Sequence, residues 1–176
     1  MWHVKLLSRL RLVITLSVLI LIFAVLIVAF FSFSGEAYLV AEQRDIVLFA
    51  WQIETNSTFE VTYTHSLNQS PITDTIRWTE DGLVVEKSVF MTFGAGVPIP
   101  SDGVGTELLF VDGRYELTGI DKHMPGFYIM TQEVPDHRIK FQGREASLLE
   151  LAGSGASVYI TVKRLPLITR LMAAQK

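Results

Sequence analysis

A chain of 176 residues with a net charge of −3 and 49% hydrophobic residues is long enough for one domain with a real apolar core, and its net acidity argues against nucleic-acid binding. It contains no cysteine, which excludes disulfides, thiol catalysis and thiolate metal sites together. That absence is compatible with any redox compartment.

Residues 12–33 form an apolar run of 22 with no charge, preceded by Lys5, Arg9 and Arg11 and followed by Glu36. A helix rising ~1.5 Å per residue over this length covers the ~30 Å hydrocarbon layer of a bilayer. Ser32 and Ser34 have the spacing a signal peptidase accepts. The run nevertheless exceeds the about 7–15 residues of a secretory h-region, so a retained anchor is predicted. The basic flank leaves the amino terminus in the cytoplasm by the positive-inside rule. The expected organisation is a cytoplasmic segment 1–11, a span 12–33 and an extracytoplasmic domain 35–176 in the inner (plasma) membrane of a bacterium.

Beyond the span the apolar pattern has the period of strands. Residues 46–53 are a first candidate. Phe59, Val61, Tyr63 and His65 then alternate with Glu60, Thr62, Thr64 and Ser66, and Ile72, Asp74, Ile76 and Trp78 alternate with Thr73, Thr75, Arg77 and Thr79. With turn compositions at 68–71 and 80–82 and a third run over 83–93, these predict an antiparallel meander. Residues 107–111, 115–120, 127–131, 139–142 and 157–162 are also strand-like, separated by Gly- and Pro-containing turns. About eight short strands predict an all-β domain, an antiparallel β-sandwich or small barrel. After Pro166, Leu167, Ile168, Leu171 and Met172 fall on one side of a predicted short C-terminal helix, either docked on the domain or laid against lipid head groups.

Charge is uneven along the chain. Residues 35–136 carry 16 acids against 5 bases, and residues 137–176 carry 2 acids against 7 bases. This pattern reads either as ordinary solvated surface or as a basic end facing a membrane or an acidic partner.

Two segments could hold chemistry. In the first, His65 continues the apolar face of Phe59, Val61 and Tyr63, whereas its neighbour Ser66 points to the opposite face, so the two make a poor base and nucleophile. Asp74 interrupts the stripe of Ile72, Ile76 and Trp78. A buried acid needs a partner, and His65 is the one expected to be oriented by it. The second segment, Gly94-Ala95-Gly96-Val97-Pro98, either brings backbone close to a ligand or simply permits a tight exit from a strand. It lacks the lysine and hydroxyl pair of a phosphate loop. The candidate ligand-binding residues are therefore His65, Ser66, Asp74, Gly94, Gly96 and Pro98, with no catalytic motif, no metal site and no cofactor implied. The histidines His3, His65, His123 and His137 show no zinc spacing, and Asp102, Glu107 and Asp112 do not match a calcium loop.

An apolar anchor followed by Tyr63-Thr64-His65-Ser66, then Ser70-Pro71 with Asp74 soon after, then Phe93-Gly94-Ala95-Gly96-Val97-Pro98, resembles the small extracytoplasmic proteins of domain-of-unknown-function family 1850. The resemblance covers residues 46–100 well and the remainder only in strand pattern. It implies association with the membrane subunits of tripartite ATP-independent periplasmic (TRAP) transporters of the TAXI type, and it supplies no catalytic residue. The expectation is a single-pass protein whose β-domain is an accessory or binding module for solute uptake. Its partners would be the bilayer, through residues 12–33, and a transporter membrane subunit or solute receptor. The alternatives are an extracytoplasmic hydrolase using His65 and Asp74 as an acid/base pair with help from Ser66, and a purely structural adaptor.

Overall fold

The computed structural model describes residues 2–31, 33–93, 107–167 and 169–170. Helix α1, Trp2–Phe31, contains neither glycine nor proline, so nothing interrupts its hydrogen-bond ladder. Residues 11–28 are long and apolar enough to cross a membrane, and none of them is buried within the protein. Leucine, isoleucine and valine are exposed on every side of it, so it has no single face to offer a soluble core.

One residue separates α1 from strand β1, Phe33–Gln43. Arg44 and Asp45 both take positive φ, 47° and 67°, as a two-residue hairpin turn requires, and lead into β2, Ile46–Ile53. The next strands are β3 (Thr58–Thr64), β4 (Pro71–Thr79), β5 (Gly82–Phe90), β6 (Glu107–Val111), β7 (Arg114–Met124) and β8 (Gly126–Met130). A second hairpin, β9 (Arg138–Phe141) and β10 (Arg144–Ser147), runs into the short helix α2, Leu148–Ala152, and β11, Ser157–Pro166, follows. Ser147 caps α2 by accepting from Glu150 N.

Every pairing is antiparallel. One sheet has the order β2-β1-β11-β8 and the other β10-β9-β3-β4-β5-β7-β6. Leu39, Ala41, Val158 and Ile160 from the first sheet meet Phe59, Val61, Ile76, Leu83 and Ile139 from the second in one buried cluster. A second cluster, Ile72, Phe90 and Leu117, lies on the larger sheet with Tyr63 and Tyr115 packed against it. The outer face of the larger sheet carries Thr62, Thr73, Thr75 and the Arg77–Glu86 and Lys87–Glu116 ion pairs, the solvated side of the alternation.

The all-β architecture with an apolar amino-terminal helix and a short helix near the carboxyl end is as expected, but the described residues form eleven strands rather than about eight. β1 was not anticipated because it does not alternate: Leu39 and Ala41 face the main core while Tyr38 and Val40 pack with Leu165 on the other side. A strand buried on both faces reads as a continuous apolar run. The apolar run of the sequence extends to Phe33, where the chain is already in β1. Helix α2 was also unexpected. Of the helix expected after Pro166, residues 167, 169 and 170 are helical, and Ile168, Leu171 and Met172 lie outside the described residues. Arg170 reaches back to Glu36 and the Tyr38 hydroxyl at 3.3 and 3.2 Å, so this end docks on β1.

The charge asymmetry along the sequence is offset in part in space. Lys163 pairs with Glu42, Arg170 with Glu36, Arg138 with Asp136 and Glu145, and Lys140 with Glu145. Among the described residues of the basic segment, Arg144 and Arg164 carry no such pair.

Candidate functional site

Thr64 faces Pro71 across the β3–β4 hairpin, which leaves residues 65–70 as the turn. Its backbone is closed by His65 N donating to Ser70 O at 2.8 Å and Gln69 N donating to His65 O at 2.9 Å. The His65 ring is buried, and its Nδ1 accepts from Leu67 N at 3.3 Å, which puts the proton of the neutral ring on Nε2. Ser66 is exposed, and its carbonyl accepts from Gln69 Nε2. A buried imidazole and an exposed hydroxyl do not make the shared cleft that a Ser66-assisted hydrolase needs.

The turn reaches the segment that follows β5. Ser70 Oγ donates to Asn68 Oδ1 at 2.7 Å and lies 3.3 Å from Thr92 Oγ1. Phe93 packs edge-on to Phe90 and 4.4 Å from the Tyr115 ring centroid. The two motifs singled out in the sequence therefore converge as far as Phe93. Gly94, Gly96 and Pro98 lie outside the described residues. Asn68 Nδ2, a buried donor, has no hydrogen-bond partner among the described residues, so the turn offers one unused polar group.

Asp74 is not paired with His65. The register sets it opposite Val61 on β3 and Ser88 on β5, four residues along the strand from the turn, or ~13 Å at a strand's rise. There Ser88, itself buried, is its hydrogen-bond partner. Burial pushes the Asp74 carboxyl above its ordinary value, and the Ser88 hydrogen bond offsets part of that. Tyr63, one position along β3's inward face from Val61, is pushed up to about 12, by burial first and by the Asp74 charge second. Its ring stacks on His137 at 4.9 Å. Burial pushes the His137 imidazole down, against the opposing charge of Asp136, and its Nδ1 is buried without a hydrogen-bond partner among the described residues.

Tyr63 and His137 are thus held neutral and Asp74 is biased towards its neutral form, in a polar inlay on the inner face of the larger sheet. Such an inlay can orient a ligand by hydrogen bonds. Among the described residues its seryl hydroxyl, Ser88, is hydrogen-bonded to the Asp74 carboxyl rather than to an imidazole, so it is not placed as an activated nucleophile. No group of three or more histidine or acidic side chains among them could hold a metal ion.

Residues 59–148, just over half of the chain, match the model of a family described as a domain of unknown function (DUF1850). The chain belongs to the DUF1850 family. The DUF1850 match takes in nearly all of the seven-stranded sheet, both motifs and the inlay, but from the smaller sheet only β8. No curated protein and no solved structure matches the chain.

Ser88, Tyr63 and His137 were not among the candidates read from this DUF1850 sequence. Ser88 had a signal: it is the one small hydroxyl in the apolar run of β5, directly across from the one acid in the stripe of β4. His137 had none, since its neighbour Tyr63 is 74 positions away in the sequence.

The displaced Asp74 carboxyl makes stability depend on pH. An unfolded carboxyl titrates near 3.8 and the folded one higher, so the native state holds its proton to higher pH than the unfolded chain does. Folding is favoured by this residue below the unfolded value and penalised as pH rises through the folded one. Asp74→Asn, which keeps an acceptor for Ser88 and sheds the charge, is expected to raise the melting temperature of the full-length protein in detergent at pH 7, with the gain fading by pH 3. A variant less stable than the parent at both pH values would show that the charge is needed rather than tolerated.

Proposed function

We propose that this protein is a membrane-anchored, extracytoplasmic accessory or binding module for solute uptake by a secondary transporter of the TAXI-type TRAP class. The observation that carries the reading is the junction: one residue separates the end of α1 from β1, an interior strand of the smaller sheet. A linker of that length cannot let the domain search space, as a flexible tether would. With α1 in the bilayer, the domain is confined to the membrane surface, where a transporter subunit would be its neighbour. Membership of the DUF1850 family is in keeping with the same reading, through the association that the resemblance implies. A binding module needs oriented polar groups rather than a nucleophile, which suits the inlay of Tyr63, Asp74, Ser88 and His137.

Gentle detergent extraction of the tagged full-length protein from its native membrane, followed by mass spectrometry of what co-purifies, tests this. Recovery of a transporter membrane subunit or its solute receptor is the expected result. Recovery of the folded protein alone, at full yield, would contradict the accessory role.

A further inference from the structure

The end of the sandwich that adjoins α1, opposite the His65 turn, holds a cavity of about 610 Å³. That volume is within the ~300–1,000 Å³ of small-molecule sites. Its floor is apolar: Ile53 from β2, Val162 from β11 and the half-buried Trp78 from β4. Its rim carries charges of both signs. Arg164 from β11 and Glu54 and Glu80, from the turns after β2 and β4, line it, together with Lys163 and Glu36, which are paired with Glu42 and Arg170. Arg164, Glu54 and Glu80 line one cavity yet form no ion pair with one another or with any other described residue, in a domain where most of the neighbouring basic groups are paired.

We propose that this cavity binds a zwitterion, with its anionic group on Arg164 and its ammonium held by Glu54 and Glu80 beside the face of Trp78. A guanidinium presents a fork of donors suited to a phosphate or carboxylate. Two carboxylates beside an indole suit an ammonium, which gains from both the charges and the ring. A simple anion leaves the two acids unneutralised, and a simple cation leaves the arginine so. Gly35, four residues beyond the end of α1, lines the same cavity. With α1 spanning a bilayer, the opening therefore lies at head-group depth, where a phosphoethanolamine head group supplies both charges. The choice of lipid over a free solute rests on that reading of α1, whereas the ligand chemistry does not.

The chain has three tryptophans, so Trp2→Phe and Trp51→Phe leave Trp78 as the only indole reporter. Full-length protein carrying these changes is titrated in dodecyl maltoside with glycerophosphoethanolamine, with a short-chain phosphatidylethanolamine and with glycerophosphoglycerol, which lacks the ammonium. A saturable change in Trp78 emission is expected with an ethanolamine probe. Binding of glycerophosphoglycerol should be at least about tenfold weaker, the cost of losing one well-placed charge contact. Arg164→Gln, and Glu54→Gln with Glu80→Gln, should weaken ethanolamine binding by at least as much, while Arg164→Lys retains most of it. Saturation by the water-soluble probe assigns the site to free zwitterions, and saturation only by the acylated one assigns it to lipid. The proposal is overturned if neither ethanolamine probe saturates, if glycerophosphoglycerol binds equally well, or if the charge-removing variants bind as the parent does with unchanged melting temperature.

Discussion

A chain cut to residues 59–148, the extent of the family match, will not fold, whereas one beginning at residue 33 will. The match leaves out β1, β2 and β11, three of the four strands of the smaller sheet. With them go Leu39, Val40, Val158 and Ile160, all fully buried, and Leu48, Phe49, Ile53 and Leu165, nearly so. Each such side chain contributes ~1.5–3 kcal/mol on burial. Eight of them together come to about 12–24 kcal/mol, as large as or larger than the about 5–15 kcal/mol by which an entire domain is stable. The inner face of the larger sheet, with Phe59, Val61 and Ile76, would then be open to water and would associate. Size-exclusion chromatography and a thermal melt read the result. The expected pair is a monodisperse, cooperatively melting 33–176 and an aggregated or non-cooperative 59–148. A cooperative melt from 59–148 would mean that the larger sheet carries its own core and that the smaller one is dispensable.

Phe59→Ala should destabilise the protein by ~3–5 kcal/mol, the usual range for emptying a buried phenylalanine site. Phe59 is 1% exposed, pairs with Ile76 on β4 and sits in the cluster that joins the two sheets. The neighbours are constrained by strand register, so the cavity cannot collapse. Phe110→Ala is the matched control: that ring is 65% exposed on the edge strand β6, and its loss should cost at most about 0.5 kcal/mol. Urea titration of both variants in detergent, read by far-UV circular dichroism, separates them. Equal, small shifts in midpoint would contradict a core centred on Phe59.

How much of this was legible in the sequence follows from how each strand is buried. β3 and β4 have one wet face and one dry one, and the alternations running from Phe59 to Ser66 and from Ile72 to Thr79 located them to within two residues, the first running on into the turn at His65 and Ser66. β2 and β6 were located at their observed bounds. β1 was hidden because both its faces are covered and because it follows an apolar helix without a break in composition. β10, Arg144–Ser147, was hidden because four residues rich in charge carry no period. At the site, the burial of His65 and the oddness of Asp74 were both readable. Their pairing was not, because register depends on the length of the turn. Residues 65–70 form a six-residue turn closed by Asn68 and Ser70, and that slides Asp74 along β4 until it faces Val61 and Ser88. Side-chain hydrogen bonds inside a turn leave no mark in the hydrophobic pattern.

The absence of cysteine makes the most direct test of the central claim, a domain held outside the membrane surface by α1, unusually clean. Single substitutions Arg9→Cys, Ser66→Cys and Asp81→Cys place one thiol at an exposed position before the span and at two exposed turns of the β-domain. Intact spheroplasts are treated with a membrane-impermeant maleimide before and after lysis. The account predicts labelling of the Ser66→Cys and Asp81→Cys proteins in intact cells and of the Arg9→Cys protein only after lysis. Labelling of Arg9→Cys alone in intact cells would invert the topology, and recovery of all three in the soluble fraction would remove the anchor.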